Sequence, residues 1–74
     1  MTEQHPLDEA AASYESAAEE LEQAAAHCRT AAGHARDREV PRMTAHAWAA
    51  RGHVLAAQAS LDEQARVHAT KSVP

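Results

Sequence analysis

A seven-residue repeat of apolar positions runs through the first half of the chain. The larger members of the repeat are Leu7, Tyr14, Leu21 and Cys28, and Ala35 continues their line. Alanines follow this line at three residues (Ala10, Ala17, Ala24, Ala31) and at four residues (Ala11, Ala18, Ala25, Ala32). One large and two small residues per heptad predict an amphipathic helix with a narrow apolar stripe, which a neighbouring helix can approach closely.

The second half of the chain keeps the same period. Its apolar positions fall on two lines, Ala47, Val54 and Leu61, and Met43, Ala50 and Ala57. Proline is favoured in the first turn of a helix, where its missing N–H has no intrahelical partner, and Pro6 and Pro41 suit that position. The sequence therefore predicts helix 1 over about residues 7–36 and helix 2 over about residues 41–69.

The connection between the two predicted helices runs only from Asp37 to Val40. Such a short connection makes the helices antiparallel neighbours. The predicted fold class is all-α, a single helical-hairpin domain over residues 1–74 built from two long alanine-rich helices. Aligning the two stripes predicts these contacts: Leu21 with Val54 and Ala57, and Tyr14 with Leu61.

Two positions leave alternatives for the helix bounds. Gly33 ends helix 1 early in one alternative, because glycine is common just past a helix C-terminus. Ser60 and Glu63 have the spacing of a capping box, so a break near Ala59 would give three helices. A continuous helix 2 is favoured, because no glycine or proline interrupts the chain at that point.

The composition predicts a thin hairpin core. Alanine supplies 20 of the 74 residues, and Trp48 and Tyr14 are the only members of the Phe, Trp and Tyr group. Alanine favours helix but buries little apolar area, and burial stabilises by about 25 cal/mol per Å². A chain this short is marginal alone. We therefore expect a homo-oligomer, with two hairpins dimerising into a coiled-coil-like four-helix bundle.

One side of helix 2 lies away from its apolar stripe and is also apolar. Turning about 100° per residue places Trp48, Gly52, Leu55 and Ala59 on that side. A glycine inside a helix costs up to about 1 kcal/mol relative to alanine. Close packing of another backbone would explain Gly52. The pattern therefore predicts a partner interface formed by these four residues.

Six histidines raise the question of a metal site. His27 and His34 are seven residues apart, as are His46 and His53, which is about 10 Å along one helix. One ion cannot bridge ligands so far apart on a single helix, so a site would need ligands from different helices or chains. The expectation is that the histidines lie on the surface or flank the interface, and that no metal and no cofactor is bound.

No motif in the chain predicts catalysis. Cys28 lies on the apolar line, so we expect a small core residue and not a reactive thiol. The carboxylates Glu15, Glu19 and Glu22 share a helix side, but an isolated helix surface implies no pocket. Gly33 and Gly52 are the only glycines, too few for a glycine-rich phosphate loop. We expect a protein that is not an enzyme.

Arginines gather where the two helices meet. Arg36, Arg38 and Arg42 form a compact patch that could contact phosphate, which gives the alternative of a nucleic-acid-associated accessory protein. The formal net charge is -4, however, and no aromatic residues are interleaved with the arginines. Nucleic acid is therefore not the expected partner.

The sequence also bears on location and on the class of function. The segment Met1–Pro6 is polar and acidic, unlike a signal peptide, and no stretch approaches the roughly 20 apolar residues of a membrane span. A single cysteine excludes an internal disulfide and fits a reducing compartment. We expect a cytoplasmic, non-enzymatic protein–protein interaction module, an adaptor, assembly factor or small regulator, that self-associates through helix packing.

Overall fold

The computed structural model of the chain describes residues 5–72, which form two long helices, α1 (Pro6–Arg36) and α2 (Val40–Lys71), packed against each other as a hairpin. The bounds agree with the predicted ones to within two residues. Both helices are continuous, so neither Gly33 nor Ser60 ends or begins a helix. Residues 1–4, on which the expectation about a signal peptide largely depends, lie outside the described residues.

Local sequence explains where the two helices begin. At the start of α1 the Nδ1 atom of His5 accepts a hydrogen bond from the backbone N–H of Leu7 at 3.0 Å, and Pro6 occupies the first turn. Asp8 and Glu9 place negative charge where the helix dipole favours it. At the start of α2 the backbone carbonyl of Glu39 accepts from Met43 at 3.0 Å, and Pro41 again lies in the first turn.

A tight turn joins the helices. The backbone N–H of Arg38 donates to the carbonyl of Ala35 at 3.1 Å, and that of Glu39 donates to the carbonyl of His34 at 2.8 Å. This pair of bonds is the Schellman motif, in which the residue after the C-cap adopts a left-handed conformation. Arg38 has a φ of 62° and so holds a position that usually belongs to glycine. The turn is compact enough to return α2 directly along α1.

The tightest part of the interface consists of alanines. Ala17 and Ala24 of α1 and Ala50 and Ala57 of α2 are only 1–5% exposed, and they are the buried residues of the described chain. Half-buried residues extend the same seven-residue spacing at each end: Ala10, Ala31, Met43 and Gln64. We call these eight positions the alanine row. Its small side chains allow the two helices to approach closely.

A second set of positions, three residues after members of the alanine row, completes the interface. These half-buried residues, the polar row, are Ser13, Glu20, His27 and His34 on α1 and His46, His53 and Ser60 on α2. Alternate spacings of three and four residues make the seam of a two-helix interface. Because the helices are antiparallel, the alanine row lies along one side of that seam and the polar row along the other.

The larger residues of the predicted stripe are not buried between the helices. Tyr14, Leu21 and Leu61 are 53%, 47% and 44% exposed, so they do not fill the space between the helices. Cys28, expected in the core, is exposed as well. The helices pack instead on the alanines three residues after the larger line, because a seam this close has room for methyl groups and not for leucine or tyrosine. Of the predicted α2 stripe, Ala50 and Ala57 are buried and Val54 is half-buried.

Candidate functional site

Imidazole and carboxylate side chains form a continuous series along the polar row. Taken in spatial order, the series is Glu20, His53, His27, His46, His34 and Glu39, which we call the histidine ladder. Its members alternate between the α1 side and the α2 side of the seam. A glutamate therefore stands at each end of four histidines, and the ladder follows the half of the hairpin nearer the turn.

The ends of the ladder are histidine–carboxylate contacts. The Nδ1 atom of His53 donates to Oε2 of Glu20 across the two helices at 2.6 Å. The Nδ1 atom of His34 donates to Oε1 of Glu39 at 3.1 Å. All four side chains are about a quarter to a third exposed, so solvent weakens these contacts without removing them.

The middle of the ladder is a pair of imidazoles. The Nδ1 atoms of His27 and His46 lie 2.9 Å apart, so one ring must carry a proton on Nδ1 and the other must accept it. The ring of His27 also stacks on that of His53 with centroids 5.4 Å apart, and the ring of His34 stacks on that of His46 at the same distance. The pair is therefore satisfied only when at least one of its rings is neutral.

The expectation that the histidines lie on the surface or flank the interface is wrong for these four, which lie within the seam. Spacing held the missing signal, because Ser13, Glu20, His27 and His34 repeat every seven residues in step with the alanines. Among residues 5–72, no group of three or more histidine, cysteine or acidic side chains is arranged to hold a metal ion. The ladder's chemistry is that of a hydrogen-bonded seam between the two helices.

The larger apolar residues of α1 form a separate line on the outside of the hairpin. Together with the alanines four residues after them they make the outer seam, Leu7, Ala11, Tyr14, Ala18, Leu21, Ala25, Cys28, Ala32 and Ala35. Its spacings alternate between four and three residues, as in a helix–helix contact. Leu7 is 72% exposed, and Tyr14 and Leu21 are about half exposed. Ala25, Ala32 and Ala35 are half-buried, and the other members are exposed. The outer seam is thus a helix-packing surface that the hairpin covers only in part.

A groove connects the outer seam to the end of α2. It has a volume of about 290 Å³, and its lining includes Leu7 and Tyr14 from α1 and Val67 and His68 from α2. The groove shows that the exposed line of α1 and the last turns of α2 share one side of the hairpin. The apolar surface is therefore wider than a single helix at this end.

The predicted α2 interface lies at the surface. Trp48 is 71% exposed, Leu55 is half exposed, and Gly52 and Ala59 are exposed beside them. Apart from the two chain neighbours and the adjacent backbone of α2, no atom of the described chain would lie within 4 Å of a Cβ at Gly52. The hairpin itself thus makes no use of the missing side chain, and the interface assignment stays a prediction.

The three arginines of the predicted phosphate contact lie at the tip of the hairpin and are exposed. The Nη1 atom of Arg42 donates to Oε2 of Glu39 at 2.8 Å. Since Glu39 also accepts from His34, the tip carboxylate already has two partners. The pairing reduces the positive charge that Arg42, beside Arg36 and Arg38, offers to a phosphate.

No protein-family model matches the sequence, and searches of characterised proteins and of solved structures found no similar chain. Neither α1 nor α2, which together make up nearly all of the described residues, is long and apolar enough to cross a membrane. The surfaces and the ladder of the hairpin itself therefore carry the functional proposal.

Proposed function

We propose that the chain is a non-enzymatic helical interaction module that self-associates, with two hairpins packed face to face as a four-helix bundle. The observation that carries this proposal is the inverted distribution of side-chain size. All four leucines, Tyr14 and Trp48 are exposed, whereas the buried positions of the described chain are alanines. A role as adaptor, assembly factor or small regulator fits a surface of this kind.

The energetics of a small hairpin favour a second copy. Burial of an alanine methyl group stabilises by less than about 1 kcal/mol, whereas a fully buried leucine or tyrosine contributes about 1.5–3 kcal/mol. The hairpin alone obtains only the smaller contribution, and its polar row replaces apolar contacts with hydrogen bonds. Covering the outer seam with an identical seam would supply the larger contribution to both chains at once.

Sedimentation velocity and concentration-dependent unfolding test the proposal. We expect the purified protein to sediment as a dimer or larger species at micromolar concentration, and its melting temperature to rise with concentration. Leu21→Glu, which places a charge in the outer seam, should lower the association state. Gln23→Glu adds the same charge at an exposed position outside that seam and serves as the control.

One result would show that the proposal is wrong. A well-folded monomer at micromolar concentration, with a melting temperature independent of concentration, means that the hairpin is stable with its apolar side chains in water. Circular dichroism on the same samples establishes that the chain is helical in each case.

A further inference from the structure

We infer that two copies of the chain pair through their α1 helices in antiparallel orientation, outer seam against outer seam; this inference rests on the proposed function and specifies its interface. Two independent features of the α1 surface support it. The first is the alternation of side-chain size along the outer seam. The second is the order of charges along a neighbouring row of exposed residues.

The alternation of size makes the outer seam complementary to itself when one copy is reversed. In an antiparallel pair, a larger residue of one helix packs in a layer with the companion alanine position of the other. If Leu21 of one copy lies beside Ala25 of the second copy, the same register places Tyr14 beside Ala32 and Cys28 beside Ala18. Every larger residue from Tyr14 to Cys28 thus meets an alanine, and no two larger residues are forced together.

The charges flank the same seam. A charged and exposed side chain stands one residue after each member of the line Leu7, Tyr14, Leu21, Cys28 and Ala35. This charged row is Asp8, Glu15, Glu22, Arg29 and Arg36. Its order is three acids followed by two bases. Reversal of one copy therefore brings the basic end of one row to the acidic end of the other.

The register set by side-chain size also sets the charge pairs. With Leu21 beside Ala25 of the second copy, the two residue numbers in every packed layer have the same sum. Two residues of the charged row face each other across the seam when their numbers sum to two less than that value. Glu15 then faces Arg29 of the second copy, and Asp8 faces Arg36, each pair occurring twice. Glu22 faces its own copy across the two-fold axis, which is the one unfavourable pair. A parallel arrangement would instead gather the acidic ends together.

The uneven distribution of charge over the whole hairpin also favours the antiparallel orientation. The half near the turn, residues 22–54, carries five arginines and three carboxylates, whereas residues 5–21 and 55–72 carry seven carboxylates and two cations. An antiparallel pair places the acidic half of each hairpin on the basic half of the other. The long-range field and the individual pairs therefore favour the same orientation.

Charge exchange between Glu15 and Arg29 tests the arrangement in the full-length chain. Glu15→Arg alone and Arg29→Glu alone each convert two attractive pairs into repulsive ones, and should raise the dimer Kd about tenfold at low salt. The double variant Glu15→Arg/Arg29→Glu restores the pairs with reversed sign, so its Kd should return to within about twofold of the original. Glu19→Arg makes the same charge change away from the seam and should leave the Kd nearly unchanged.

The possible outcomes separate the interface from the function. A dimer whose Kd is unaffected by the single variants, or not restored in the double variant, overturns the antiparallel α1 contact and leaves self-association intact. A tighter dimer for Glu15→Arg would show a parallel contact, because it would relieve repulsion between acidic ends. A monomer for the unmodified chain overturns the proposed function and this interface together.

Glu22 provides a second test with the opposite sign. Because it faces its own copy at the two-fold axis, Glu22→Gln removes a repulsion and should lower the Kd about two- to threefold at low salt. The gain should disappear at about 1 M salt, where the screening length is about 3 Å. A Kd that rises or stays constant for Glu22→Gln at low salt would place residue 22 away from the axis and contradict the register.

Discussion

The Nδ1 atom of His53 lies 2.6 Å from Oε2 of Glu20, joining positions 33 residues apart across the hairpin. Among the contacts of the histidine ladder, this one lies farthest from the turn. It sits beside the buried alanines, so it reports on whether the two helices are in register. Polar residues in a helix–helix seam commonly fix register in this way.

Loss of the Glu20 carboxylate should destabilise the hairpin. Glu20→Ala leaves the half-buried His53 imidazole without its acceptor, and we expect the free energy of unfolding to fall by about 1 kcal/mol in urea titrations. Glu19→Ala, an exposed neighbour, is the control and should cost little. A double-mutant cycle with His53→Ala should give a coupling energy of about 1 kcal/mol. A coupling energy of zero would mean that the contact does not form in solution.

The buried alanines should tolerate no enlargement. Ala57 is 1% exposed, so Ala57→Leu forces the helices apart and should destabilise the hairpin by about 1–3 kcal/mol. Ala56→Leu is the matched control, because Ala56 is exposed and leucine is also a good helix former. Thermal unfolding of both variants gives the comparison. Equal melting temperatures would show that the seam is looser than the alanine row implies.

The turn offers a substitution that should stabilise the chain. Arg38 adopts a φ of 62°, which costs a residue with a Cβ about 1–2 kcal/mol. Arg38→Gly removes that strain but increases the freedom of the unfolded chain, so we expect a net gain of up to about 1 kcal/mol. Arg36→Gly, inside the last turn of α1, should instead destabilise. A lower melting temperature for Arg38→Gly would mean that the arginine side chain stabilises the turn.

Helix bounds could be predicted from the sequence because they depend on local signals. Pro6 and Pro41 suit first turns, and the chain between Arg36 and Val40 is too short for anything but a turn. These signals act over a few residues, so tertiary contacts did not override them. Gly33 was ambiguous for the same reason, because a glycine near a helix end does not by itself decide where the helix stops.

The packing of the seam could not be predicted in the same way. Alanines lie both three and four residues after each larger residue of α1, so the apolar pattern alone fits two different seams. The choice depends on distance between the helices, which favours rows of methyl groups, and on polar partners such as Glu20 and His53. An apolar pattern predicts neither the helix–helix distance nor the polar partners, because it treats histidine and glutamate as surface residues.

The exposed α2 surface around Trp48 is the predicted partner interface. It lies outside the outer seam, so contacts made there would add to those of the α1 pair, with further copies or with another protein. Truncation of a buried tryptophan typically costs about 3–5 kcal/mol, and interface anchors are enriched in tryptophan. Trp48→Ala should therefore lower the association state while leaving helix content largely intact at high concentration.

Gly52→Leu separates an interface from ordinary surface at the same place. A leucine meets no neighbouring atom of the described chain at its Cβ, and it has the higher helix propensity, so within one hairpin it should only stabilise. If another backbone packs closely against Gly52, the same leucine blocks it, and we expect a lower association state despite the more stable helix. Sedimentation and melting temperature, measured on the same samples, distinguish the two effects. A raised melting temperature with an unchanged association state would show that Trp48, Leu55 and Gly52 form ordinary solvent-exposed surface.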